Sequence, residues 1–308
     1  MKSDFADTTD RSQLYAKVRN SLLQLSRLPA DPRHWRPHLV VLAQGLGEPL
    51  QLLEYAVLLG GLHGIVSRVG FLQGSLKDAA ARRHAELARV EQLTAERAPS
   101  IFNEVIVAPD AEAAVPVFLQ AHALGPLKPN LAVLAYPGDT VPTGTLIGRL
   151  RALVGLEISC VVLLNIAGRR LLHNEPGRVD IWWRGFANGS LMLILAHMLT
   201  LNPSWRKVRV RILRIARTEA ERQNAHDELK HLIEVSRIDA EIRILVSTDP
   251  FTHAMRKESR DAAALFLGFV LPDESQALVT SFESTARALE GMPPAFLTCT
   301  SGAADLLA

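Results

Sequence analysis

Residues 179–205 read VDIWWRGFANGSLMLILAHMLTLNPSW. Residues 179–183 are β-branched and aromatic, with Asp180 the single charge. That composition predicts a pleated strand packed on both faces. Successive side chains of a strand point to opposite faces, so Trp182 and Trp183 are expected to anchor two different layers. Asn188 offers an N-cap, and Gly189 permits an unusual backbone angle at a turn. Residues 191–201 are apolar nearly all round, the mark of a buried helix. Two tryptophans on one short strand make a large apolar anchor. Its other half must come from elsewhere in the fold or from a partner chain.

Outward from this stretch, strands and helices alternate. Before it, strands are expected at 38–43, 65–72, 104–108, 131–136 and 158–166, and helices at 50–62, 75–98, 111–124 and 143–154. Ser75 with Asp78, and Asp110, supply helix starts. Residues 168–178, GRRLLHNEPGR, break the rhythm. After them the scheme repeats, with strands at 179–183, 207–215, 241–246, 263–270 and 294–300. Helices follow at 190–201, 218–235 and up to 289, opened by Thr218 with Glu221 and by Asp273 with Gln276; residues 250–262 read as partly helical. Short apolar strands alternating with helices predict an α/β fold with a mainly parallel, doubly wound sheet and helices on both faces. The expected division is 1–36, a disordered tail plus linker helix; 37–168, a first α/β module; and 169–308, a second.

In the linker, residues 11–28 form a basic amphipathic helix. Leu14, Val18, Leu22, Leu25 and Leu28 fall on or near one face, and Arg11, Lys17, Arg19 and Arg27 lie elsewhere. It is read either as a juxtamembrane helix near anionic headgroups or as a helix docked on its own domain or a partner. Residues 29–37, with three prolines, are a connector.

The 308 residues set a prior of about two domains. Hydrophobic residues make up 48% and charged residues 21%, enough for a sizeable core. A net charge of +2 gives no argument for nucleic acid, and the 3 tyrosines of the chain do not interleave its basic cluster. Cys160 and Cys299 are read as two buried thiols in a reducing compartment, with a disulfide as the alternative. The first residues lack the apolar core of a secretion signal. No run reaches the roughly 18 apolar residues of a membrane span, so the chain is expected to be soluble as it stands.

Catalytic signatures are scarce. Residues 45–50, GLGEPL, lack the third glycine of a dinucleotide fingerprint. Residues 138–145, GDTVPTGT, have a phosphate-loop flavour but Thr145 where the lysine belongs. Both follow strand ends, where open sheets bind ligands. His226 and His231 are five apart, so they do not share a helix face, and no HExxH is present. No metal site or enzymatic nucleophile is expected. Arg206, Lys207, Arg209, Arg211, Arg214 and Arg217 form the marked charge cluster. Lys207, Arg209 and Arg211 share one strand face, which predicts an edge strand whose face is solvated or meets acidic groups.

Three blocks carry a resemblance. Val179, Asp180, Ile181, Trp182 and Trp183, followed by Gly189, a Leu-rich helix and Trp205-Arg206-Lys207, make the first. Trp35-Arg36-Pro37 before the strand at 38–42, and Lys128-Pro129-Asn130 before LAVLAYP, make the others. Together, from about residue 10 to the end, the chain resembles the cytosolic C-terminal domain of cation–chloride cotransporters and related amino-acid permease-like carriers. The resemblance implies two successive universal-stress-protein-like modules. It also implies a non-catalytic regulatory and dimerisation domain of a secondary transporter at the cytoplasmic face of the membrane. Its partners would be a second copy and the transmembrane domain, with an anionic membrane surface nearby and no cofactor required. The alternative is a sensor module for ATP or another adenine nucleotide, with Ala43, Gly45, Gly138, Gly144 and Thr145 as contacts.

Overall fold

The computed structural model describes residues 10–29, 31, 35–43, 49–61, 63–136, 143–167, 176–271 and 275–306. Of the tail expected to be disordered, 1–10, all but Asp10 lies outside them, as does the Asp273 cap. The first helix, α1 (Arg11–Leu25), is capped by the Asp10 carboxylate accepting from the Ser12 amide. The first half then runs β1 (His38–Leu42), α2 (Leu50–Gly60), β2 (Ile65–Gln73), α3 (Leu76–Arg97), β3 (Ile101–Ala108), α4 (Ala111–Ala121), β4 (Leu131–Ala135), α5 (Thr143–Gly155) and β5 (Ser159–Leu164). The second runs β6 (Gly177–Trp182), α6 (Phe186–Leu201), β7 (Val208–Ala216), α7 (Glu219–Ser236), β8 (Ala240–Val246), α8 (Phe251–Ser259), β9 (Ala264–Gly268), α9 (Ser275–Ala288) and β10 (Ala295–Cys299).

Among the described residues these strands form one sheet in the order β3-β2-β1-β4-β5-β10-β9-β6-β7-β8. Each half has the same winding: its first strand is central, the next two step outward on one side and the last two on the other. All pairings within a half are parallel. The halves join through an antiparallel pairing of β5 with β10, in which Cys160 lies opposite Cys299. That pairing removes two edges that would otherwise expose unpaired main-chain groups. Both cysteines are buried free thiols. A hydrogen bond with Cys299 and burial push the Cys160 thiol well above its ordinary value, so it stays protonated.

Strand alternation divides the interior into two cores. Leu39 and Val41 of β1, with Val179, Ile181 and Trp183, pack under α2, α6 and α7. Val40 and Leu42, with Trp182, pack under α4, α5, α8 and α9. The two tryptophans therefore do anchor different layers. Trp182 donates its indole N–H to Ser259 Oγ at 3.0 Å and meets Phe251 edge-on. Trp183 meets Phe186 edge-on. Across the seam between the halves, Tyr55 of α2 packs edge-on against Phe296 of β10 and against Trp205.

Two local readings of the 179–205 stretch are corrected. The helix begins earlier, at Phe186, with Gly185 as its N-cap, so Asn188 is not a cap. Its side chain instead donates to Phe269 O at 2.8 Å and accepts from Thr300 N at 2.8 Å, tying the ends of β9 and β10 together. Gly189 serves no turn. It sits inside α6, where a Cβ would lie 2.2 Å from Trp183 Cη2; the glycine is there for the ring. The other two resemblance blocks also meet. Asn130 donates to Arg36 O and accepts from His38 N, so the entry to β1 is clamped by the entry to β4.

His38 and His122 face each other at 5.8 Å, with Phe118 stacked on His122 at 4.6 Å. Burial and then His122 lower the pKa of His38; burial lowers that of His122, offset in part by Glu104. A histidine whose folded pKa is lowered binds more protons when unfolded, so stability rises with pH through that window and is lost as pH falls. The melting temperature is expected to fall as pH drops from ~7.5 to ~5.5. His122→Gln should flatten that profile in a thermal-melt series. A profile that rises toward acid would overturn this account.

Candidate functional site

In an open α/β sheet, ligands bind outside the carboxyl ends of the strands, where strand order reverses. Here those points lie between β1 and β4 and between β6 and β9. At the first, Ala43 is buried, and its carbonyl accepts from Arg149 Nη1 at 3.3 Å. Arg149 also grips Glu112 through Nε at 2.9 Å and Nη2 at 2.6 Å. Gly144 and Thr145, in the first turn of α5, line a groove of about 380 Å³ with Glu112, Pro116 and Arg149. Arg149 thus brings Ala43, Gly144 and Thr145 into one neighbourhood. Gly45 and Gly138 lie outside the described residues.

The second switch point holds a cavity of about 640 Å³, lined by aromatic and apolar side chains including Trp182, Met192, Phe251, Leu267, Phe269 and Phe282. Arg184, at the entry to α6, lines it too, with polar side chains such as Asn188, Thr252 and Ser281. The Arg184 guanidinium lies over the Phe251 ring at 5.1 Å. Sequence reasoning missed this cavity. Its walls are core-type residues from six elements, β6, α6, α8, β9, α9 and β10, and no local pattern separates an aromatic that lines a cavity from one that fills a core.

The basic cluster is also placed differently from the expectation. β7 is not an edge strand; it lies between β6 and β8. Arg211 is buried and forks onto Asp180, Nε to Oδ1 at 2.9 Å and Nη2 to Oδ2 at 2.8 Å. Its Nη2 also donates to Glu258 O at 2.9 Å. The face does meet acidic groups, because the strand next door carries Asp180 and α8 brings Glu258 over it. Arg206, Lys207 and Arg209 remain exposed at the start of β7. Arg214 pairs with Glu228 of α7 at 3.1 Å. His226 lies 3.6 Å from Asp227, and among the described residues no three potential metal ligands cluster.

Two halves with the same winding, each with a crevice at its switch point, define a tandem of universal-stress-protein-like α/β modules. A universal stress protein from Archaeoglobus fulgidus has this fold, with a TM-score of 0.56 at 14% identity over 87% of this chain and 98% of that one. The cytoplasmic domain of a prokaryotic cation chloride cotransporter superposes with a TM-score of 0.61, at 14% identity over 87% of this chain and 97% of that one. At that identity these likenesses speak to the fold. By sequence, residues 171–286 match the model of Solute carrier family 12. The matched segment is under half of the chain and contains the tryptophan strand, α6, the Asp180–Arg211 pair and the second switch point. The resemblance read from the first block is thereby met, while the blocks at 35–42 and 128–136 lie outside the match. Among the described residues no helix is long and apolar enough to cross a membrane.

Proposed function

We propose that this chain is the non-catalytic cytosolic regulatory and dimerisation domain of a secondary transporter of the cation–chloride cotransporter type. It would work beside the transmembrane part at the cytoplasmic face of the membrane. The observation that carries the reading is the Solute carrier family 12 match over residues 171–286, most of the second half. A feature of the first half supports it. α1 has no buried residue, and Leu14, Tyr15, Val18 and Leu25 are exposed along it. A helix of this length is marginal in water on its own. An apolar stripe left open in this way suits a helix completed by membrane, transmembrane segment or second copy, through which domain position is coupled to transport. Ligand or partner acts only by differential affinity for two arrangements.

Light scattering across a dilution series tests the dimerisation part. The expected result is a mass near twice the 33.8 kDa of the chain, persisting on dilution. A strict monomer at high concentration removes dimerisation from what the chain does alone. The second reading, an adenine-nucleotide sensor, is favoured by the aromatic cavity between β6 and β9, with the groove at Gly144 and Thr145 as its counterpart in the first half. Millimolar ATP at ~100 times its dissociation constant would then stabilise the fold by about 2.7 kcal/mol; no thermal shift would rule the reading out.

A further inference from the structure

Three arginines meet at the carboxyl ends of β6, β7 and β8. Arg184 follows β6, Arg214 belongs to β7 and Arg217 follows it. With Trp183, Ser247 and Asp249 they line a cleft of about 680 Å³. The cleft adjoins the aromatic cavity, sharing Trp182, Arg184 and Phe251 with it, but it opens over β7 and β8 rather than at the switch point. Arg214 is held by Glu228. Among the described residues, the guanidinium groups of Arg184 and Arg217 make neither a hydrogen bond nor an ion pair; Arg184 lies on the Phe251 ring.

The main chain adds positive potential. α6 and α8 both start beside this cleft. Neither has a side-chain cap or an acidic residue in its first turn, so both present free amides and the positive end of a dipole. The Trp183 indole N–H is buried without an acceptor. Ser247 Oγ accepts from the Asp249 amide at 3.0 Å and keeps its own proton to donate. The opposing carboxylates are Asp249, exposed at the rim, and Glu228, already engaged. In the first half the arginines beside β2 and β3 are used differently: Arg82 donates to Gln73 O and Arg83 to Val105 O.

We infer that this cleft binds a phosphate-bearing anion, either a soluble phosphorylated molecule or a phosphorylated lipid headgroup. Planar guanidinium forks match phosphate oxygens bidentately, and helix amides complete such a shell. The site stands on its own residues and does not depend on the transporter reading.

The test compares the 308-residue chain with its R184Q/R217Q variant. Neither change removes a side-chain hydrogen bond or ion pair; R184Q gives up only the contact with the Phe251 ring, and circular dichroism checks that the fold is kept. Arg209→Gln, exposed elsewhere on the same strand, is the control. Binding of inorganic pyrophosphate is measured by calorimetry. Flotation uses phosphatidylcholine vesicles with and without phosphatidylinositol phosphate. Pyrophosphate binding that weakens at least tenfold in the double variant and not in the control supports the site with a soluble ligand. Binding only to the phosphoinositide vesicles, lost in the double variant, supports it with a lipid. No binding of either probe, or equal binding by all three proteins, overturns the inference.

Discussion

Replacing Gly189 by alanine is expected to destabilise the fold by about 2 kcal/mol, although alanine is the better helix former. Alanine in place of glycine inside a helix gains about 1 kcal/mol. Against this stands the ring of Trp183. The new Cβ would lie 2.2, 2.4 and 2.6 Å from three of its atoms. Trp183 is 1% exposed, is set edge-on to Phe186 and belongs to the core under α6. A buried indole with neighbours on that core cannot retreat, so either α6 or the ring must move. Overpacking of this kind costs up to about 3 kcal/mol, and the net sign is destabilising. Urea unfolding would read it as a lower midpoint with an unchanged slope. The substitution should cost less in a Trp183→Phe background, and the difference is the coupling between the two positions. A Gly189→Ala protein as stable as the parent would mean that α6 is not wedged on the tryptophan.

The second large effect is expected at the buried pair. Asp180 is fully buried and Arg211 nearly so, joined by two hydrogen bonds. Removing one partner of such a pair leaves an uncompensated charge and costs about 3–5 kcal/mol. The two single variants should differ. Asp180→Ala leaves Arg211 beside Glu258, whose carboxylate is 3.8 Å away and whose carbonyl it still reaches, so a loss near 3 kcal/mol is expected. Arg211→Met leaves Asp180 with Arg178 at 3.6 Å, outside hydrogen-bond geometry and half-exposed, so a loss nearer 4 kcal/mol is expected. The double variant D180L/R211M should recover most of the loss, because two apolar side chains need no compensation. If the double variant were as unstable as Arg211→Met alone, the pair would be shaping β6 and β7 rather than neutralising itself.

These two sites show where sequence reading stops. The alternation in residues 179–183 is enough to send Trp182 and Trp183 to different layers, because a strand's side-chain period is two whatever surrounds it. The same period put Lys207, Arg209 and Arg211 on one face. It did not reveal that β8 would close the edge beyond them, or that Asp180 would lie opposite Arg211. Those facts depend on which strands pair, and pairing is non-local. The glycine at 189 looked like a turn residue because turns are the commonest local use of glycine. Its real constraint comes from a ring several residues away in sequence and directly against it in space.

The candidate site divides in the same way. Strand ends at 43 and 136 were legible, and so was the expectation that ligands gather at such ends. The aromatic cavity between β6 and β9 was not, because its walls come from separate elements that each read as core. The arginine cleft was half legible. Arg214 and Arg217 stood in the charge cluster, but Arg184 and the starts of α6 and α8 join them only in three dimensions.

Residue periodicity alone therefore determined the α/β class, the repeat of one strand–helix alternation in two halves and the two-layer anchoring of the tryptophans, since each rests on local backbone geometry. Tertiary structure decided the fusion of both halves into one sheet across β5 and β10, the burial of Arg211 and the position of both cavities. Each of these is set by contacts between segments far apart in the chain, where many pairings satisfy the local pattern and packing selects one.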